Sequence, residues 1–506
     1  MKPHFSKVVV LVASTGQSGS GLTQDASTGT RVESEETRIP LPALSLRLVM
    51  AWIAAAVVAF QSAMLSPATC VFIVVSLFCL VQLTRARSAR AAFYAGLVAG
   101  YTVALINLTF LWTIFSVAAV ALWAIPAFWT ALFVVLGRAC RRQLRPAWCV
   151  ALLPVLWTGL EFFRSELYPL RFSWLSVGYV FADAPQLAPL HALGMYGAGL
   201  LAAGIATGMA LLRGSRRWVV MALLAATWLW LSPVTRNPFT SVPASLGQAT
   251  VRMAGVQLEF PTERSVLFHL DELLQKFPDT DLFVLSEYTF NGPVPDAIRE
   301  WCRQHQRYLI IGGKDPLPDD QFYNTAFVIG PTGEIVFKQV KSVPIQFFQD
   351  GLPAPAQQVW ESPWGKMGIC VCYDLSYTRV IDRFVQQGAE AIVAPTMDVE
   401  DWGRRQHELH ARVAPVRAAE YGVPIFRLTS SGISQSVDRD GQVIASAPFG
   451  REGAMMQDSL SFRTGHLPLD RWIAPFCALG TGIIIAVLLA LRLVGRGRQP
   501  AWSRNS

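Results

Sequence analysis

The stretch that decides the fold is Gly368-Ile369-Cys370-Val371-Cys372-Tyr373-Asp374. An apolar run of strand-forming residues ends here, and a predicted helix begins near Leu375. A turn from strand to helix exposes the side chain at the turn, and the helix N-terminus favours a thiolate. Cys372 is therefore the candidate nucleophile. If the strand runs straight through, Cys370 lies on the same face one layer deeper and stays buried.

Two kinds of charged residue upstream complete a set that can activate a thiol. Glu287 follows the apolar run 282–285, where partial desolvation raises the pKa of a carboxylate toward that of a usable base. Lys338 and Lys341 lie three residues apart on a predicted strand, so only one of them can face the site. A thiol needs a base and a developing oxyanion needs a positive charge, so Glu, Lys and Cys predict nucleophilic catalysis.

The composition of the chain indicates a membrane protein. Of the 506 residues, 52% are hydrophobic and only 15% are charged, which is too apolar for an ordinary soluble enzyme. A membrane span needs about 20 apolar residues. The candidate spans are roughly 47–64, 68–84, 91–113, 116–137, 147–163, 191–212, 217–233 and 472–494.

The net charge of +8 is carried by arginine clusters and not by a nucleic-acid-binding stripe. The clusters lie in short loops between spans and near the C-terminus: Arg85, Arg87 and Arg90; Arg138, Arg141, Arg142 and Arg145; Arg213, Arg216 and Arg217; Arg492, Arg496 and Arg498. Such loops face the cytoplasm. Eight spans then leave both termini inside and the polar block outside, in the periplasm of a Gram-negative cell. We expect a multi-pass inner-membrane protein without a nucleic-acid partner.

The polar block between the last two spans has the pattern of an α/β domain. Short β-rich runs alternate with helical candidates near 262–276, 295–305, 375–388 and 404–421, which indicates α/β layers. The predicted domains are a disordered cytoplasmic tail at 1–46, a transmembrane bundle at 47–244 that includes a periplasmic segment at 165–190, a periplasmic catalytic domain at 245–468, and a final helix with a basic cytoplasmic tail at 469–506.

The polar block resembles the carbon–nitrogen hydrolase (nitrilase) superfamily, which has a Glu-Lys-Cys triad on an α-β-β-α sandwich. The resemblance rests on the triad and on four segments: Arg252-Met253-Ala254-Gly255-Val256-Gln257, Tyr323-Asn324-Thr325, Cys372-Tyr373 and Arg417-Ala418-Ala419-Glu420. Counted from Gly333, the lysine of the family falls on Lys341. Counted back from Pro344, neither lysine fits the commonest spacing, so Lys338 remains the alternative.

The membrane half narrows the resemblance to the apolipoprotein N-acyltransferases, which carry a nitrilase-like domain between their last two spans. The similar residues are Trp157, Glu161, Arg164, Ser165, Phe172, Trp174, Gly178, Gly194, Tyr196 and Gly197. The resemblance implies a polytopic helical bundle with an inserted α-β-β-α sandwich. A soluble nitrilase lacks the first of these parts.

The chain departs from the pattern of this family in three places. Pro344-Ile345-Gln346-Phe347 stands where the family has Pro-Phe-Gly-Glu, so a second glutamate is missing, and Asp350 is the nearby candidate to replace it. Asp374 replaces the usual glutamate two residues after the nucleophile. The Asn-Asp-x-Trp segment is reduced to Asp398 and Trp402. These changes indicate a divergent subgroup.

The resemblance implies a ping-pong reaction without cofactor or metal. Glu287 deprotonates Cys372, the thiolate attacks a phospholipid ester, and Lys341 stabilises the oxyanion. The α-amine of a diacylglyceryl-modified apolipoprotein then attacks the thioester, and Glu287 takes the amine proton. The expected substrate-binding residues are Tyr373, Asp374, Trp402 and Phe347, the last in an apolar arm that keeps water out. His407 and His410 offer two metal ligands without a third, so we expect them to have a helix-face role.

Two other functions remain open from the sequence. The same triad in a membrane-tethered amidase or nitrilase hydrolyses C–N bonds, with water in place of the amine. Alternatively, the chain is a non-catalytic membrane scaffold with a decayed domain. Retention of glutamate, lysine and cysteine together argues against the scaffold.

Overall fold

The computed structural model describes residues 44–233 and 249–497, with side chains up to residue 493. The predicted N-terminal tail up to residue 43, the segment 234–248 and the end of the basic tail lie outside the described residues. The described ranges form a membrane half and a soluble half that contact each other.

The membrane half is a bundle of apolar helices. Its helices are α1 (Leu46–Ala63), α2 (Phe72–Leu83), α3 (Ala89–Asn107), α4 (Phe110–Phe115), α5 (Ala119–Gln143), α6 (Pro146–Phe162), α7 (Leu190–Leu211) and α8 (Gly214–Leu231). By length and composition, six stretches of the described residues can cross a membrane: Leu46–Ala63, Ala89–Asn107, Phe110–Gln143, Pro146–Leu167, Leu190–Leu211 and Asp470–Leu493. The predicted bundle is confirmed with six such stretches in place of the eight expected spans, because α2 is too short and α8 is not apolar enough.

The boundary between the third and fourth predicted spans differs from the expectation. Helix α3 ends at Asn107, and the short helix α4 follows it. Ser116, which has a φ of +49°, separates α4 from α5. A residue with this positive φ cannot continue a helix. The earlier break lies at Leu108, whose φ of −110° and ψ of +36° are also not helical, so the apolar run 91–137 forms three helices. These breaks place α4 and the start of α5 beside the soluble half.

Helices α3 and α5 pack closely because small residues line their contact. A Cβ added to Gly96 would lie 2.6 Å from Cα of Ala131, and one added to Gly100 would lie 2.8 Å from Cα of Ala127. Small residues at this spacing let two helix backbones approach within a bilayer, where apolar burial drives little association. These close contacts fix the distance between α3 and α5.

The soluble half contains two six-stranded sheets in the described part of the chain. The strands are β1 (Thr250–Val256), β2 (Leu282–Val284), β3 (Tyr308–Pro316), β4 (Phe322–Ile329), β5 (Ile335–Val340), β6 (Trp360–Ser362), β7 (Gly365–Ile369), β8 (Ala391–Thr396), β9 (Ile425–Thr429), β10 (Ser434–Val437), β11 (Val443–Ala447) and β12 (Met455–Ser461). One sheet has the order β12-β1-β2-β3-β4-β5 and the other β11-β10-β9-β8-β7-β6. β1, β2 and β3 run parallel to one another, as do β7, β8 and β9.

The two sheets pack face to face, with helices on both outer sides. Along β2, Leu282 and Val284 belong to the core between the sheets, whereas Phe283 packs with helices α9 (Glu263–Lys276) and α10 (Asp296–His305). Side chains of a strand alternate between its faces, so a strand covered on both sides is apolar throughout. Helices α11 (Thr378–Gln386), α12 (Arg404–Ala411) and α13 (Val413–Tyr421) lie on the side of the second sheet. The predicted α-β-β-α sandwich is confirmed.

Helix α13 and the final helix α14 (Asp470–Gly497) join the soluble half to the bundle. Gly194 interrupts α7 with a φ of +69°, which frees backbone N–H groups from the helix. The amide of Met195 donates to Glu420 Oε1 (2.6 Å) and that of Tyr196 to Asp470 Oδ2 (3.0 Å). A Cβ on Gly194 would overlap the Asp470 carboxylate. Only glycine satisfies both the backbone angle and the close approach.

Candidate active site

The Glu287 carboxylate lies at the centre of a buried polar cluster beyond the end of β2. Its Oε1 accepts hydrogen bonds from Lys341 Nζ (2.8 Å) and Asn324 Nδ2 (2.6 Å). Its Oε2 accepts one from the backbone amide of Met397 (2.8 Å). Lys341 follows β5 directly, and its amide donates to the Asn324 carbonyl (2.8 Å), which holds the lysine beside β4. The sheet therefore brings together residues far apart in sequence.

Asp350 is a second carboxylate on the same lysine. Its Oδ2 lies 2.7 Å from Lys341 Nζ, and its Oδ1 accepts from Asn324 Nδ2 (2.8 Å) and from the Tyr288 hydroxyl (2.9 Å). Burial opposes the charged form of Lys341, but the carboxylates of Glu287 and Asp350 outweigh it and hold the lysine pKa well above its ordinary value. Asp350 thus stands beside the ammonium where the sequence lacks the expected glutamate.

Lys338 lies away from this cluster. Its Nζ pairs with Asp315 Oδ2 (2.8 Å), its side chain is 45% exposed, and the ammonium lies over the Phe327 ring. Lys338 and Lys341 face opposite sides, as their spacing requires. Of the two candidates, only Lys341 contacts Glu287.

Cys372 occupies a sharp turn after β7. Its φ is +54°, which is strained for a residue with a Cβ, and a 3₁₀ helix begins at this residue (Cys372–Ser376). The thiol is buried, 3.7 Å from the Met397 carbonyl. Burial raises the pKa of Cys372 well above its ordinary value, the negative charge of Glu287 raises it further, and Lys341 opposes both. This environment favours the thiol over the thiolate.

Cys370 does not lie behind Cys372 on the same face. It packs with the core shared by α11, α13 and the bundle, whereas Cys372 packs with the core between the sheets. The strand ends at Ile369, and the turn at Cys372 reverses the direction of the second side chain. The expectation for a strand running straight through 372 is therefore wrong, although Cys370 is fully buried as expected.

A pocket opens onto Cys372, with about 980 Å³ of empty space when the open solvent at its mouth is included. One wall comes from the bundle and the other from the soluble half, and both are largely apolar. The lining includes aromatic and polar side chains from the two halves: Phe115, Trp174, Phe347, Cys372, Tyr373, Trp402 and His410. Phe347 packs edge-on against Phe115 of α4 (5.8 Å between ring centroids), and Phe348 lies 6.1 Å from Trp402. The expected arm at 345–348 thus covers the pocket from the soluble side.

Of the four expected substrate-binding residues, Tyr373, Trp402 and Phe347 line the pocket, and Asp374 does not. Asp374 is buried and accepts backbone N–H groups of Ser342 (2.9 Å) and Val343 (2.7 Å), immediately after Lys341. Burial raises the pKa of Asp374 to about 7, against the effect of these hydrogen bonds. Its position fits a role in holding the lysine segment and not one in touching substrate.

Asp398 and His410 form a polar group that the sequence did not predict. Asp398 accepts from Arg427 Nη2 (2.6 Å), His410 Nδ1 (2.8 Å) and Gln406 Nε2 (3.0 Å). Both histidines are buried on α12: the His407 ring stacks on Phe449, and the His410 ring stacks on Trp174. Within the described residues, no three histidine, cysteine or acidic side chains group as metal ligands.

Comparisons with known proteins agree with this architecture. The family model described as carbon-nitrogen hydrolase matches residues 273–462, and the model of the apolipoprotein N-acyltransferase N-terminal domain matches residues 54–208. An apolipoprotein N-acyltransferase of Shewanella oneidensis is 24% identical over 428 residues, which cover 75% of this chain and 80% of the relative. One of Photobacterium profundum is 24% identical over 393 residues, 68% of this chain and 74% of the relative. The solved structure of Saccharomyces cerevisiae Nit3, a member of the nitrilase superfamily, is 20% identical to this chain. The match covers 42% of this chain and 90% of the Nit3 chain, with a TM-score of 0.36.

Fold and site together define a membrane-embedded member of the nitrilase superfamily, with the sandwich set between apolar helices. The two family models match separate parts of the chain, residues 54–208 and 273–462, in the order expected. The chain belongs to the apolipoprotein N-acyltransferase family, as the sequence motifs predicted.

Proposed function

We propose that this chain transfers a fatty acyl group from a phospholipid, through a thioester on Cys372, to the α-amine of the diacylglyceryl-cysteine of an apolipoprotein. The relatives from Shewanella and Photobacterium carry the name of this activity. The observation that carries the proposal is the pocket that joins apolar bundle helices to the buried Glu287–Lys341–Cys372 group. Lipid chains can stay in such a pocket while the carbonyl reaches the sulfur.

In the first half-reaction Glu287 takes the thiol proton as the sulfur attacks the ester carbonyl. Protonation of Glu287 removes one of the two negative charges beside Lys341, and Asp350 keeps the ammonium in place. The positive charge of Lys341 is then less fully neutralised and can stabilise the oxyanion. Glu287 passes the proton to the departing lysophospholipid, which leaves the acyl group on Cys372 as a thioester.

In the second half-reaction an amine must react in preference to water. The apolar pocket wall and the arm with Phe347 support this preference, because they limit access of water to the thioester. A thioester is reactive enough for attack by an amine. The proposed reaction therefore needs no nucleotide, and the chain's own side chains supply its acid, base and nucleophile.

The distribution of arginines supports an inner-membrane location with the catalytic half in the periplasm. Asn107 at the end of α3 contacts Arg405 of the soluble half. The other end of α3 lies about 28 Å away, at 1.5 Å of rise per residue. Arg85, Arg87 and Arg90 lie at that end, so the soluble half and this arginine cluster are on opposite sides. Arginine-rich loops face the cytoplasm.

The test measures products from phosphatidylethanolamine with a labelled acyl chain and a diacylglyceryl-cysteine peptide. We expect an amide-linked acyl peptide, its loss in Cys372→Ala and its retention in Cys370→Ala, since Cys370 packs away from the pocket. Release of free fatty acid, or turnover of small amides alone, supports the tethered hydrolase. Equal rescue of cells by wild type and Cys372→Ala supports the scaffold.

A further inference from the structure

In the proposed transfer the nitrogen of the ammonium loses two protons. The sulfur of Cys372 takes up only one of them. An α-amine has a pKa of about 7.7–8.0, so much of the acceptor enters as an ammonium near neutral pH. The balance is ammonium plus thioester giving amide, Cys372 thiol and one free proton. The C–S bond breaks as the C–N bond forms, one nitrogen proton goes to the sulfur, and the other must leave the site. Attack cannot begin until that other proton has gone.

Glu287 is arranged for the proton that moves to and from the sulfur. A carboxylate has about four lone-pair sites. Three are occupied by Lys341 Nζ, Asn324 Nδ2 and the Met397 amide, which leaves a fourth site, on Oε2. In the acyl-enzyme only this fourth site is free, and the proton returning to the sulfur needs it. A second acceptor is required for the ammonium proton.

His410 offers such an acceptor in the wall of the same pocket. Its Nδ1 lies 2.8 Å from Asp398 Oδ1, and among the described residues its Nε2 is buried with no hydrogen-bond partner. Burial opposes ionisation of Asp398, but His410 and Arg427 hold its pKa well below the ordinary value, so the carboxylate accepts and Nδ1 carries the hydrogen. Nε2 then presents a lone pair. Stacking on Trp174, with 4.7 Å between ring centroids, fixes the ring.

We propose that His410 is a second catalytic base, which takes the ammonium proton of the incoming α-amine at Nε2 while Asp398 stabilises the imidazolium. This inference rests on the proposed function, because it concerns only the amine-dependent half-reaction. It departs from the expectation that Glu287 takes both protons. The proton passes from His410 to solvent once the product leaves the pocket.

The surroundings of His410 suit a base that is neutral at rest. Burial lowers the pKa of His410, Arg427 and His407 lower it further, and Asp398 opposes them. The neutral ring therefore keeps its lone pair free until an ammonium arrives. Once His410 is protonated, the Asp398 carboxylate, which lies within hydrogen-bond distance of Nδ1, stabilises the imidazolium. Cys372, which lines the same pocket, is acylated at this stage and carries no charge.

The experiment separates the two half-reactions in His410→Gln, with His269→Gln on α9, which does not line the pocket, as the control. Protein is first acylated with labelled phosphatidylethanolamine, and the appearance of acyl-enzyme is timed. The acyl-enzyme is then mixed with the diacylglyceryl-cysteine peptide, or with hydroxylamine, which is already uncharged at neutral pH. We expect His410→Gln to acylate within about twofold of wild type but, at pH 7, to transfer to the peptide on the order of 10-fold more slowly, because only about a tenth of the α-amine is uncharged at that pH.

Two further readouts distinguish proton transfer from packing. Cleavage by hydroxylamine is expected to match wild type, and the peptide rate of His410→Gln is expected to recover as the pH is raised through the amine pKa. The control variant, His269→Gln, keeps the wild-type peptide rate. If His410→Gln is not recovered folded, His410→Asn is judged by the same rates.

The inference is overturned if His410→Gln transfers to the peptide at the wild-type rate. It is also overturned if hydroxylamine cleavage slows as much as peptide transfer, which indicates a packing role. A wild-type protein that forms no acyl-enzyme overturns the proposed function itself and this inference with it. Loss confined to the peptide step of His410→Gln supports the second base.

Discussion

Replacing Lys341 by methionine probes the buried ion cluster, and Lys338→Met is its matched control. Methionine keeps much of the length of the side chain and removes the charge. At position 341 the change leaves the Glu287 and Asp350 carboxylates buried without their cation, which lies 2.8 Å and 2.7 Å from them. Removing one partner of a buried ion pair costs about 3–5 kcal/mol of unfolding free energy. At position 338 the pair with Asp315 is partly exposed, and its loss costs less than about 1 kcal/mol.

The assay combines thermal unfolding in detergent with acylation by phosphatidylethanolamine. We expect Lys341→Met to lower the unfolding midpoint markedly and to form no acyl-enzyme, and Lys338→Met to resemble wild type in both. Adding Asp350→Asn to Lys341→Met removes one of the uncompensated charges, so part of the midpoint returns without activity. Equal midpoint shifts for the two lysine variants, or acylation by Lys341→Met, would refute the assignment of the cluster.

Three further predictions concern the junction, the lysine segment and the arm. Gly194→Ala is expected to abolish or strongly lower the yield of folded protein, because a Cβ there overlaps Asp470, whereas Gly204→Ala, whose nearest neighbour would be Leu224 Cδ1 at 3.6 Å, is expected to give the wild-type yield in gel filtration. Burial raises the pKa of Asp374 to about 7 from about 3.9 in the unfolded chain, so its ionisation destabilises the fold as the pH rises through this window. The unfolding midpoint of Asp374→Asn should therefore fall less between pH 5 and pH 8 than that of wild type, and an equal fall speaks against the shift. Phe347→Ser opens the arm to water, so the ratio of free fatty acid to acylated peptide is expected to rise, and an unchanged ratio excludes a sealing role.

The sequence predicted the elements whose patterns are local. Apolar runs identified the membrane helices, and strands buried on both faces, such as β2 and β8, are apolar enough to be recognised. The predicted β-rich runs, at 251–256, 282–285, 308–311, 326–329, 335–340, 367–371, 391–394 and 425–428, leave out β6, β10, β11 and β12. Of these, β6 has three residues and β10 reads Ser-Gln-Ser-Val. Their pairing depends on neighbours distant in sequence, which a local pattern does not contain.

The candidate site shows the same division between local and tertiary information. The order Glu287, Lys341 and Cys372 follows from strand ends, but the contact of Asp350 with Lys341 depends on the path of the loop between them. The direction of the Cys372 side chain relative to Cys370 depends on one positive φ at Cys372, which residue preferences do not predict. Roles for these residues remain predictions until the chemistry is measured.

The chemistry can be measured directly on the protein exposed to phosphatidylethanolamine alone and quenched in acid. Intact-mass analysis followed by peptide mapping determines whether an acyl group is attached and to which residue. Our account predicts one hydroxylamine-labile acyl group on Cys372, which is absent from Cys372→Ala and present in Cys370→Ala. An unmodified protein, or an acyl group on any other residue, would contradict it.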